Sequence, residues 1–131
     1  MTNEVQAVRN IETHKVAGDY FGEKTKVQAI SGKGNGGADF KYRISAGING
    51  KDECRDVIIR FQQGNPEDQI NGISNEALLA VVLDRLEGWQ SGDFPSPDGR
   101  LLIAHLATAL DLMQKRTKDR IERGVIGKLE Q

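Results

Sequence analysis

Ser74-Asn75-Glu76-Ala77-Leu78-Leu79-Ala80-Val81-Val82-Leu83-Asp84-Arg85-Leu86-Glu87-Gly88-Trp89-Gln90 decides how the chain folds. Its apolar residues return at helical spacing, and Ser74 is a good N-cap. Apolar residues crowd nearly all round Ala77 to Leu83, so the helix is expected to be buried on more than one side, against the chain's own sheet and a partner subunit. Gly88 and Gly92 mark its fraying end. Ser96-Pro97-Asp98 then opens a second helix: Ser96 caps it, Pro97 suits the first helical position and Asp98 favours the positive end of the dipole. Leu102, Leu106, Ala109, Leu110 and Met113 form its apolar stripe, and Gly124 ends it. Two helices joined by a few residues pack antiparallel.

Upstream, the period changes from helical to alternating. Residues 25–31, 38–44 and 56–62 read as strands, with Phe40, Tyr42 and Ile44 on one face of the second. The glycine-rich segments 32–37 and 47–52 read as hairpin loops between them. The segment from Val5 to Ile11 fits a strand or a short helix. Gly64-Asn65-Pro66-Glu67-Asp68 separates strands from helices. The expected class is α+β, with an antiparallel β-meander in residues 1–70 packed with a helical hairpin in 71–127, and a tail at 128–131.

Bulk properties narrow the function. The chain has 131 residues, 28% charged, with a net charge of -1. Near-neutrality argues against a general DNA coat, which needs a broad excess of Lys and Arg, but a local cluster suffices for a small anion. Cys54 is the single cysteine and the two histidines lack ligand spacing, so neither a disulfide nor a metal site is expected. The start, Met1-Thr2-Asn3-Glu4, has no apolar signal core, and no apolar run approaches the ~20 residues of a membrane span. A reducing, cytosolic setting without membrane contact is the expectation.

Arg116, Arg120 and Arg123 share one helical face, and each guanidinium can offer paired donors to a phosphate. The plainer reading, a solvated helix end meeting the C-terminal dipole, is favoured on spacing alone. Trp89, with Phe94 nearby, suits stacking on a base, yet aromatics at helical spacing are more often core. Segment 32–37 lacks the ending of a phosphate loop and precedes a strand, although Lys33 is placed to act as a lid over an anion. The free N–H groups at Ser74 and Asn75 suit a second phosphate site. No catalytic constellation emerges.

The hairpin sequence 71–86, then Trp89-Gln90, Gly92 and Phe94, then Lys115-Arg116-Thr117-Lys118-Asp119-Arg120 and Arg123-Gly124-Val125-Ile126-Gly127, resembles the phage hairpin-domain family of immune-signal sponges. The preceding Ile59-Arg60-Phe61-Gln62 resembles the sheet-to-hairpin junction of its anti-Thoeris branch. The resemblance implies sequestration without turnover or cofactor, in the cytoplasm of an infected bacterium, countering Thoeris and cyclic-oligonucleotide (CBASS) defences. The implied ligands are cyclic ADP-ribose isomers, with cyclic di- or trinucleotides at a separate site. The implied partner is a second copy, in dimers or hexamers. The family's stacking aromatic falls on Trp89, and its phosphate-binding residues on Arg116 and Arg120 around Thr117, with Arg123 and Arg60 as weaker candidates. Relatives carry Cys-Arg-Glu-Asn after the turn phenylalanine; Ser96-Pro97-Asp98-Gly99 stands here, so Gly99 replaces the asparagine. The alternatives are a homo-oligomeric protein-interaction module and a cyclic-nucleotide hydrolase.

Overall fold

The structure, a computed structural model, describes residues 8–47 and 56–124. The segment before Val8, most of the 47–52 loop, Cys54, and Val125-Ile126-Gly127 with the tail lie outside the described residues. The chain divides into two compact units, Met1–Gly72 and Ile73–Gln131.

The first unit is a four-stranded antiparallel sheet in the order β1-β2-β3-β4. Its strands are β1 (Arg9–Ile11), β2 (Thr25–Ala29), β3 (Lys41–Ala46) and β4 (Val57–Arg60), with a short helix, α1 (Tyr20–Glu23), between the first two. The ambiguous N-terminal segment thus supplies a strand over Arg9–Ile11. Register places Val27 opposite Ile44, Ala29 opposite Tyr42 and Tyr42 opposite Ile59, so the β-branched and aromatic residues share one face. Ala29 is the buried hydrophobic residue among those described. The Phe61 ring meets Tyr42 edge-on, with centroids 5.7 Å apart. On the other face one row runs Asn10, Gln28, Arg43. Gln28 Nε2 donates to Asn10 Oδ1 at 3.0 Å, and the Arg43 guanidinium donates to Gln28 Oε1 at 2.7 Å.

The third strand begins at Lys41, three residues later than the sequence suggests. Side-chain chemistry takes over the intervening backbone. Ser31 Oγ accepts from the N–H of Phe40 at 3.0 Å, and the connection closes through a 3-10 turn at Asn35–Gly37. The Gly64–Asp68 break is a turn in which Asn65 Oδ1 accepts from Glu67 N–H at 2.9 Å. Asn71 then ties the chain back, its carboxamide bonding the N–H and C=O of Gln63 at 2.8 and 2.9 Å.

The second unit is the expected antiparallel hairpin of α2 (Asn75–Gln90) and α3 (Pro97–Glu122). Both caps form as read from the sequence. Ser74 Oγ accepts from Ala77 N–H at 3.1 Å, and Ser96 Oγ from Gly99 N–H at 2.9 Å. Gly124, at φ +71°, follows the C-cap of α3 and ends the helix, in a conformation glycine adopts without penalty.

The helices meet along one seam. Leu79, Leu83 and Leu86 are half-buried on α2, and Ile103, Leu106, Leu110 and Met113 on α3. Each half-covered side chain contributes roughly 1 kcal/mol. Within the single chain no residue of α2 is buried, and Val81 and Val82 stay exposed, since the seam with α3 covers one side of the helix; the burial expected against a partner subunit is a matter for the oligomer. One expectation needs correction. Leu102 is exposed, and Ile103 takes its place on the seam, one residue round the helix.

Candidate functional site

The candidate side chains of the hairpin lie at both of its ends. Trp89 occupies the last turn of α2 and is 63% exposed, so it does not close the core. One turn earlier, the Arg85 guanidinium lies 5.1 Å from the centroid of the indole. This i, i+4 cation–π pair leaves much of the ring open to solvent. Phe94, in the connection between the helices, is 91% exposed.

The connection is held by Gln90. Its Nε2 donates to Ser96 C=O at 2.8 Å, and its Oε1 accepts from Ser96 N–H at 3.2 Å. Ser96 caps α3 with its hydroxyl, so this one residue joins both helix ends. A Cβ at position 99 would run into the Gln90 Oε1. Gly99 therefore does more than lack an asparagine side chain: the space beside it holds the carboxamide of Gln90.

At the open end, Thr117 Oγ1 donates to Glu76 Oε2 at 2.7 Å. Glu76, Gln114, Thr117 and Lys118 line a shallow cavity of about 290 Å³. The three arginines fare differently here. Arg116 is exposed, Arg120 is half-buried in line with Met113 and Thr117 on the seam, and Arg123 pairs with Asp119 at 3.2 Å. Ser74 and Asn75 are exposed at the N-terminus of α2, near this end, where the Ser74 hydroxyl already satisfies one helix N–H.

The two ends are far apart. Glu76 marks the level of Thr117, and a rise of 1.5 Å per residue puts Trp89 about 20 Å farther along α2. The structure therefore brings Trp89 together with Arg85, leaves Phe94 exposed in the connection, and groups Arg116, Thr117 and Arg120 separately. One hairpin does not unite the indole with the basic end of α3.

The two candidates of the first unit are engaged in its own packing. Arg60 lies 5.1 Å over the Phe40 ring and donates Nε–H to Asn71 C=O at 3.0 Å. Lys33 Nζ stands 3.9 Å from Asp39 Oδ1, which also accepts from Arg9 at 2.8 Å. Asp39 is buried, and the Arg9 hydrogen bond holds its carboxyl below the usual pKa. Among the described residues no group of His, Cys, Asp or Glu gathers as a metal site, and no helix is long and apolar enough to cross a membrane.

Arg85 and Gln90 join the candidate residues only through the structure. The i, i+4 spacing of Arg85 and Trp89 was a legible signal. Gln90 gave none, because its partner lies across the turn.

The fold and site define an α+β protein whose helical hairpin shows an exposed tryptophan–arginine pair at one end and a basic helix terminus at the other. No family model matches the chain. It is similar to a curated phage protein, Thoeris anti-defense 1 of Bacillus phage SBSphiJ7, with 39% identity over 70 residues. The match takes in 53% of this chain and 49% of the relative, so the chain spans about half the length of the protein it matches. This similarity supports the anti-Thoeris resemblance read from the hairpin motifs.

Proposed function

We propose that this protein is a phage anti-defence sponge. It binds glyco-cyclic ADP-ribose signals, holds them without cleavage and so blocks Thoeris effectors; cyclic di- or trinucleotides are secondary ligands whose capture blocks CBASS. The observation that carries this reading is the 39% identity over 70 residues to Thoeris anti-defense 1. The exposed Trp89 ring beside Arg85 agrees with it, since a cyclic ADP-ribose offers a base to stack on and phosphates to pair.

The affinity required sets the architecture. Titrating a scarce signal needs a nanomolar dissociation constant, about -12 kcal/mol. Stacking on one ring supplies ~1–3 kcal/mol, so the indole end of a hairpin is insufficient. The basic end, with Arg116 and Arg120, lies about 20 Å away on the same copy. We infer a composite site in which the indole of one copy faces the arginines of another. Val81, Val82, Leu101, Leu102 and Leu112 are exposed on the hairpin and provide apolar surface for self-association.

Calorimetry against each purified glyco-cyclic ADP-ribose isomer, followed by denaturation and mass spectrometry of the released ligand, tests the reading. Tight binding with intact ligand is expected. A cleaved product would instead make the protein a hydrolase. Absence of binding to every cyclic nucleotide would leave an interaction module, which the exposure of Val81, Val82 and Phe94 favours as the second reading.

A further inference from the structure

The Gln90 carboxamide makes two hydrogen bonds to the backbone of a single residue, Ser96. That residue caps α3 through its hydroxyl, which accepts from Gly99 N–H. The last residue of α2 is therefore fastened to the first turn of α3, and Trp89 is its immediate neighbour in sequence. Helix ends fray unless their polar groups find partners. The fastening depends on an empty position: a methyl group at 99 would meet Gln90 Oε1 and crowd Ser96 Oγ at 3.2 Å.

We propose that Gln90 is a positioning residue for the site built on Trp89, and that Gly99 exists to admit its carboxamide. The side chain stops the last turn of α2 from opening, so the indole is presented in one place before the ligand arrives. Preorganisation of this kind lowers the cost of ordering the site on binding. The role in binding rests on the sponge reading; the clasp itself does not.

Trp89 is the chain's single tryptophan, so its fluorescence reports on this turn alone. The experiment is time-resolved anisotropy and thermal unfolding of the full chain as wild type, Gln90→Ala, Gly99→Ala and the double variant, with ligand affinity measured on each. Gln90→Ala and Gly99→Ala are each expected to enlarge the nanosecond motion of the indole and to weaken binding several-fold. In the Gln90→Ala background, Gly99→Ala is expected to add no motion and to cost less Tm than in the wild type, because the carboxamide that the methyl would displace is gone and only the 3.2 Å approach to Ser96 Oγ remains. Equal effects of Gly99→Ala in both backgrounds would overturn the clasp, as would unchanged anisotropy in Gln90→Ala. Altered anisotropy with unaltered affinity would overturn the positioning role. A wild type that binds no cyclic nucleotide would sink the sponge reading and this role with it, while the anisotropy cycle would still decide the clasp.

Discussion

The guanidinium of Arg85 lies 5.1 Å from the ring centroid of Trp89, so the aromatic end of the hairpin carries a cation of its own. The indole and this arginine are expected to act as one unit. Trp89→Ala should weaken ligand binding by about 5- to 150-fold, the range of a lost stacking contact of ~1–3 kcal/mol. Arg85→Ala should weaken it by about 3- to 30-fold, because both the support of the ring and a nearby positive charge are lost. Calorimetry on both variants, with the oligomer checked by sedimentation, measures this. Wild-type affinity in both would remove the turn from the site.

The proposed composite site makes a complementation experiment decisive. Trp89→Ala chains lack the indole, and Arg116→Ala chains lack a cation about 20 Å away. Neither pure variant should bind tightly. Co-refolded in equal amounts, they should regain about a quarter of the wild-type sites, since random pairing across a two-copy site unites both intact halves that often. No recovery in a verified mixed oligomer would place the two residues in different sites.

Arg60 is expected to matter for stability and not for the ligand. It stacks over Phe40 and bonds the Asn71 carbonyl, both within the sheet unit. Arg60→Ala should cost about 1 kcal/mol, seen as a lower urea midpoint, with affinity unchanged. A large loss of affinity with normal stability would return Arg60 to the site.

The Asp39 carboxylate should make the sheet unit acid-sensitive. Its folded-state pKa lies below the ordinary value because Arg9 donates to it. The unfolded chain therefore takes up the proton first as pH falls. The stabilisation is complete above about pH 4 and disappears as pH drops through the lower, folded-state value. Melting followed from about pH 7 down to about pH 2.5 should show a steep acid limb in the wild type and a shallower one in Asp39→Asn. Parallel limbs would show that other carboxylates govern acid unfolding.

Much of this architecture was legible because local chemistry agreed with the final fold. Ser74 and Ser96 announce the helix starts, and both hydroxyls bond the expected turn. Alternation in Phe40, Tyr42 and Ile44 and the β-branched run Val57–Ile59 identified two strands that pair. The start of β3 was misjudged because Ser31 captures the N–H of Phe40, a contact between residues nine apart that no local pattern encodes. The site was legible by residue type but not by place. Trp89, Arg116 and Arg120 are each prominent in sequence, and an antiparallel hairpin sets the first at the turn and the others at the far end, but nothing in one chain's spacing says whether a second copy reunites them. Gln90 stands in the hairpin motif, but the role proposed for it was not legible, because it depends on the absence of a side chain at Gly99.

The distance between the two ends of the hairpin also bears on timing. On the proposed sponge reading, if each site needs two chains, the first molecules made after infection are nearly blind to the signal. Capacity then grows with the square of protein concentration until assembly saturates, and linearly afterwards. A sponge of this design would leave the alarm untouched at trace expression and silence it over a narrow window of synthesis. The strength and timing of its promoter would then matter as much as the chemistry of its pocket.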